Sequence, residues 1–168
     1  KVLGIMGPLA DALDSLHAQG VVHRDLKPAN VKIRPDGRPV ILDLGIAKQS
    51  AGGGLSMTRT GMGMGTHAYM APEQMDAKHV DGAADRYALG MLAYELLSGG
   101  LPWPEGSSEY RVVSLKLGGQ LEDLCRRKGS VPKTVGAAVM RMLSAQPGGR
   151  FGSCADFVEA LSTRGPAP

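Results

Sequence analysis

Across the octet His23-Arg24-Asp25-Leu26-Lys27-Pro28-Ala29-Asn30, one carboxylate, one ammonium and one carboxamide stand at fixed offsets. Thirteen positions past Asn30, the triplet Asp43-Leu44-Gly45 adds a second carboxylate. Transfer of a phosphoryl group needs a carboxylate to accept the nucleophile's proton, a cation to balance charge on the group in flight, and oxygen ligands for magnesium. Asp25, Lys27, Asn30 and Asp43 are a set of that kind.

Such groups work only if regular elements aim them. Ile5, Leu9, Ala12, Leu13 and Leu16 recur at helical spacing and Gly20 suits a C-cap, so a helix is predicted to lead into the octet. Val31–Arg34 and Pro39–Leu42 are short β-rich stretches flanking Pro35-Asp36-Gly37, which reads as a hairpin whose second strand delivers Asp43. Periodicity disappears from Ile46 to Met70, where Gly52-Gly53-Gly54, Gly61, Gly63 and Gly65 predict a loop. Asp85–Leu97 is apolar on more than one face and is predicted to be a buried helix ended by Gly99-Gly100. Leu101–Gly106, with three of its positions filled by Pro102, Trp103 and Pro104, reads as an ordered loop. Ser107–Leu117, Pro132–Leu143 and Ser153–Leu161 are three further helices by their patterning, with Pro132 in a first turn and Ser153 with Asp156 at an N-cap.

The 168 residues suit one domain with its own core. A 43% hydrophobic and 21% charged composition is that of an ordinary globular chain, and a formal charge of +3 is too small to call for nucleic acid. Aromatics make up only 4%, so aliphatic residues and methionine carry the packing. Cys125 and Cys154 have no close Cys or His neighbour at metal spacing, so buried free thiols in a reducing compartment are expected. No apolar run approaches the roughly twenty residues that span a bilayer.

The octet resembles the catalytic loop of protein kinases, and the likeness continues in order down the chain. Ala71-Pro72-Glu73 resembles the family's APE motif, the run from Asp85 to Gly90 resembles the start of its central helix, and Arg150 after Gln146-Pro147 stands where the family has a late arginine. This resemblance implies Asp25 as catalytic base, Lys27 beside the γ-phosphate as in the Ser/Thr class, and Asn30 and Asp43 as magnesium ligands with ATP as co-substrate. Thr66, after Gly65, is similar to the threonine that bridges Asp25 and Lys27 at the substrate pocket. Glu73 and Arg150 are implied to form a structural ion pair, and His23 to pack against Leu44 rather than act as a base. Arg24 beside the base resembles kinases regulated by activation-loop phosphate, with Thr58 and Thr60 as the modified residues. That pair and Gly45-Ile46-Ala47-Lys48 are similar to the eukaryotic-like kinases of bacteria, including penicillin-binding-domain-associated receptor kinases.

Some residues depart from the family pattern. Leu44 replaces the usual Phe, keeping apolar packing. Lys32 stands where the family has an apolar floor for adenine, and its methylene stem can cover a base while the ammonium reaches water. The glycines from Gly61 to Gly65 neither follow a strand nor open a helix, so they match a phosphate loop poorly. Thr58 and Thr60 have an alternative as plain polar loop residues. Two rival functions stand beside the kinase: a non-catalytic kinase-like interaction module, tested by ATP turnover of the complete protein, and a small-molecule phosphotransferase of the aminoglycoside type, tested by phosphorylation of generic protein substrates.

The expected architecture is mainly α, a kinase-like C-lobe over residues 1–162 whose small β-hairpin carries the catalytic and metal-binding loops, with residues 163–168 as a tail or linker. A Gly-rich loop, strand lysine and helix glutamate are not found ahead of the octet, so the N-lobe is expected to be absent and the chain inactive alone. The expected partners are proteins bearing Ser or Thr and a second kinase copy for autophosphorylation, without nucleic acid or a membrane segment. The expected location of the kinase domain is the cytoplasm, with a membrane anchor elsewhere in the parent protein as the alternative.

Overall fold

Met6, Leu9, Ala10 and Leu13 form the buried stripe of helix α1, Val2–Ala18, in the computed structural model, which describes residues 2–42, 67–75 and 80–162. Asp43, Leu44, Thr58, Thr60 and Thr66 lie outside the described residues. The stripe is rotated from the one expected: Ile5, Ala12 and Leu16 are half-buried at its margins. Pro8 sits inside α1 and costs it one hydrogen bond, which the buried stripe outweighs. Gly20, at φ 70°, ends the turn after the helix: its N–H donates to the His17 carbonyl and Val21 N–H to Leu16, both at 3.0 Å.

The expected hairpin forms. Strand β1, Val31–Ile33, pairs antiparallel with β2, Pro39–Ile41, in the register Val31↔Ile41, Lys32↔Val40 and Ile33↔Pro39. Its turn follows from side-chain chemistry: Pro35 presets φ, the Asp36 carboxylate accepts from Arg38 N–H at 3.0 Å, and Gly37 takes φ 82° while its N–H donates to the Arg34 carbonyl.

Helix α2, Pro72–Met75, is a single turn, and α3, Gly82–Ser98, runs through the middle of the molecule. The start of α3 precedes the expected Asp85, because the Asp81 side chain accepts from Ala83 N–H at 2.7 Å and caps the helix there. Ala83 to Tyr94 are almost all buried, since α3 packs against α1, α5 (Leu124–Arg127) and α6 (Lys133–Met142). Leu96, counted among its apolar set, is instead 47% exposed near the C-terminal end. Gly90 lets α3 and α6 approach: a Cβ there would lie 3.0 Å from Met142.

Helix α4, Glu109–Leu117, starts at a Ser108 cap. α5 has no counterpart in the sequence reading; Asp123 accepts from the N–H groups of Cys125 and Arg126 and creates it. Pro132 caps α6 rather than lying inside its first turn. Helix α7, Cys154–Ser162, opens on reciprocal bonds between Ser153 and Asp156. Asp14 of α1 reinforces that end, accepting from Cys154 and Ala155 N–H groups at 2.9 Å each. Both cysteines are free thiols, Cys154 buried and Cys125 only half-buried, because Cys125 sits at the edge of the α5 and α6 contact. Among the described residues no helix is long and apolar enough to cross a membrane.

Candidate active site

The octet is held from beneath by one carboxylate. Asp85, in the first turn of α3 and only 1% exposed, accepts from the N–H of His23 and the ring Nε2 of His17 on one oxygen, and from the N–H of Arg24 on the other, each at 2.8 Å. Three donors offset the desolvation of a buried charge.

Those bonds hold Arg24 at φ 64°, the left-handed region that side chains disfavour. Gln74 of α2 completes the clamp: its Nε2 donates to the Arg24 carbonyl at 2.9 Å and its Oε1 accepts from Ala71 N–H at 2.9 Å. A strained residue costs about 1–3 kcal/mol and persists only where surroundings over-determine it. Here the strain turns the chain just before Asp25.

Asp25, Lys27 and Asn30 then converge. Lys27 Nζ lies 3.0 Å from Asp25 Oδ2, while Asn30 Nδ2 donates to that oxygen at 3.2 Å and to the Asp25 carbonyl at 2.7 Å. Asn30 thus spends its amide hydrogens on Asp25, which leaves Oδ1 as the end suited to a cation. Pro28–Asn30 forms a 3-10 turn, and the buried Asn30 carbonyl accepts from Leu42 N–H at 2.8 Å. His23 Nδ1 accepts from Asp25 N–H at 3.3 Å, so its Nε2 carries the hydrogen donated to the Leu42 carbonyl at 3.2 Å. Leu42, the residue before Asp43, is therefore fixed on both sides of its main chain. Leu44, the partner expected for His23, is outside the described residues.

The segment 67–75 forms the facing wall. Tyr69 and Met70, with Arg24, Asp25, Gln74 and Asp85, line a small cavity against the octet. Tyr69 donates to Glu95 Oε2 of α3 at 2.5 Å, and burial with that acidic neighbour raises the phenol's pKa above its ordinary value. Helix α4 holds the same segment: His67 Nδ1 meets Glu109 Oε1 at 2.7 Å, and Lys116 Nζ donates to the carbonyls of His67, Ala68 and Met70 at 2.9, 2.6 and 2.7 Å. Lys116 is 1% exposed and lies over the rings of Tyr87 and Trp103, at 5.3 and 5.4 Å. Burial holds its ammonium well below the usual lysine range.

Glu73 and Arg150 also meet, Nη1 to Oε1 at 2.6 Å and Nη2 to Oε2 at 2.8 Å, with Arg150 donating further to Ala83 and Ser144 carbonyls. Of the site residues read from sequence, Arg24, Asp25, Lys27, Asn30, His23 and Asp85 are thus one connected cluster, with Glu73 and Arg150 bracing the wall beside it. His17, Gln74, Tyr69, Glu95 and Lys116 were not foreseen. The cap-like place of Gln74 just after Glu73 was the one available cue; the others contact main chain or partners far away in sequence.

The protein kinase domain family matches this chain over residues 2–161. Serine/threonine-protein kinase Pkn1 of Myxococcus xanthus is 39% identical over 172 residues, covering 95% of the chain and 23% of that relative. Serine/threonine-protein kinase PknH of Mycobacterium tuberculosis is 36% identical over 166 residues, covering 96% of the chain and 26% of that relative. Among solved structures, a double mutant of the Mycobacterium tuberculosis PknI kinase domain matches with a TM-score of 0.68 and 31% identity, over 95% of this chain and 52% of that one. The chain belongs to the protein kinase family, and it spans between 23% and 26% of the length of those two curated relatives.

Proposed function

We propose that the chain is the C-lobe of a Ser/Thr protein kinase of the bacterial, eukaryotic-like type, and that the complete protein moves the γ-phosphoryl group of ATP onto Ser or Thr hydroxyls of proteins. The observation that carries this reading is the Asp25 carboxylate, gathered with Lys27 and Asn30 within 3.2 Å on a backbone strained at Arg24. Asp25 orients the acceptor hydroxyl and takes its proton, and Lys27 balances charge on the phosphoryl group. Magnesium and ATP fit the donor set: Asn30 Oδ1 and the Asp43 carboxylate would hold the metal, whose charge offsets that developing on the phosphates. Thr66 would join Asp25 and Lys27 at the acceptor pocket.

The C-lobe reading is supported by the outward hairpin face. Val40 and Leu42 are 38% and 39% exposed beside Lys32, an apolar strip that an N-lobe and nucleotide would cover. Arg24 Nε is buried without a hydrogen-bond partner among the described residues, which supports a role in binding phosphate on Thr58 or Thr60. Protein substrates and a second kinase copy are the partners, in the cytoplasm.

The test uses the complete kinase with Asp25→Asn, which keeps shape and removes the proton acceptor. Phosphate transfer to protein should drop about 10²–10⁴-fold. Near-normal turnover would remove Asp25 from the role.

A further inference from the structure

Lys116 is chemically conspicuous. A lysine with its ammonium fully enclosed, flanked by two aromatic rings and bonded to three main-chain carbonyls, is placed to hold backbone rather than to interact with water. An ammonium has three donors converging from one nitrogen, and the three carbonyls lie within 2.9 Å of it, so donor count and acceptor count match. Those carbonyls belong to His67, Ala68 and Met70, and Tyr69 and Met70 line the cavity beside Asp25. Glu109, Val112 and Lys116 lie on one face of α4, so the ion pair of Glu109 with His67 acts on the same segment one end earlier.

We propose that Lys116 is a positioning residue for the phosphoryl acceptor: its ammonium sets the main-chain path of residues 67–70, and that path shapes the wall against which the acceptor segment of a protein substrate lies next to Asp25. The proposal rests on the kinase reading above. Among the described residues the hydrogen bonds of Lys116 go to segment 67–70 and none to the octet or the hairpin, so its loss acts on the acceptor alone. Met keeps the length and apolar stem of Lys without any donor. Arg keeps charge but spreads its donors over a planar fork that cannot converge on three carbonyls.

The test compares the complete kinase with Lys116→Met and Lys116→Arg, measuring KM for a protein acceptor and for ATP, together with hydrogen exchange of amides 67–71. Both variants are expected to raise the acceptor KM by about tenfold or more, the equivalent of one lost charge-assisted hydrogen bond, with the ATP KM unchanged. Exchange should quicken at 67–71 and not in α1 or α7. An acceptor KM within about twofold of wild type, with only the melting temperature lowered, would assign Lys116 a purely structural role and overturn the proposal. If the unaltered complete protein transfers no phosphate, the kinase reading fails; the exchange result then decides alone, and unchanged amides at 67–71 sink the clamp. If Lys116→Met does not fold, lysine-selective NMR of the unaltered chain decides: one ammonium signal with slowed hydrogen exchange supports the clamp, and uniformly fast exchange overturns it.

Discussion

Arg150 and Glu73, 77 residues apart in sequence, close on each other as a buried two-pronged ion pair at 2.6 and 2.8 Å. The same guanidinium reaches the Ala83 carbonyl at 2.7 Å and lies 4.9 Å from the Tyr87 ring centroid, so one side chain joins α2, the start of α3 and the turn after α6. Removing one partner of a buried pair strands the other, at about 3–5 kcal/mol, far above the value of an exposed pair. Arg150→Ala is expected to lower thermal stability markedly. A melting temperature equal to that of the parent chain would contradict the pair's weight.

Arg24 offers a cleaner comparison, because its φ of 64° favours glycine. Arg24→Gly and Arg24→Ala both remove the guanidinium, yet only alanine retains a Cβ in the left-handed region. The glycine variant is expected to be more stable than the alanine variant by about 1 kcal/mol. Urea denaturation of the two measures it; equal midpoints would show that the strain has relaxed.

Stability should pass through a maximum on the alkaline side. Lys116 has a folded pKa below its ordinary 10.5, so in that window the unfolded chain binds the extra proton and stability rises with pH. Tyr94 is pushed up to about 12 by burial and the nearby Glu122. Tyr69, Tyr87 and Cys154 are also raised by burial, Cys154 further by Asp14. These four keep protons that the unfolded chain loses, so stability falls above about pH 9 to 10. Denaturation midpoints followed into the alkaline range should rise and then fall, and Lys116→Met should flatten the rise. A rise that survives the substitution would exclude Lys116 as its source.

Regulation is read most directly by mass spectrometry. Phosphate on Thr58 or Thr60 brings roughly −1.5 to −2 charges and would pair with Arg24. The complete kinase incubated with ATP should carry phosphate between Ser56 and Thr60. A fully active enzyme unmodified there would end this assignment.

Nucleotide affinity tests the proposal that the chain is a C-lobe. If the hairpin face is the C-lobe side of an adenine site with no N-lobe above it, calorimetry on the 168 residues should find ATP binding no tighter than about millimolar. Micromolar binding would overturn the C-lobe reading.

The octet, the hairpin turn and the major helices were legible because each is written locally, in contiguous residue types, turn chemistry or helical period. Four-residue α5 is too short for periodicity, and α3 starts at Gly82 because a cap outside the apolar run decides it. Lys116 was illegible for a different reason. A lysine on an amphipathic helix reads as solvent-facing, and its acceptors are carbonyls 46 to 49 residues away, whose positions no side chain encodes. Asp85 could be placed in a helix from sequence, yet its bonds to loop N–H groups 61 and 62 residues upstream emerge only with the fold.

The Asp14 carboxylate capping α7 spans 140 residues from donor to acceptor. During synthesis α1 leaves the ribosome long before α7, so this contact forms only after the residues between them have been made. Topologically the described chain is a loop fastened at its two ends, and closing so long a loop costs entropy before the contact forms. A cut or deletion within α7 is therefore felt at α1, the far end of the described residues, as well as at its neighbour α6.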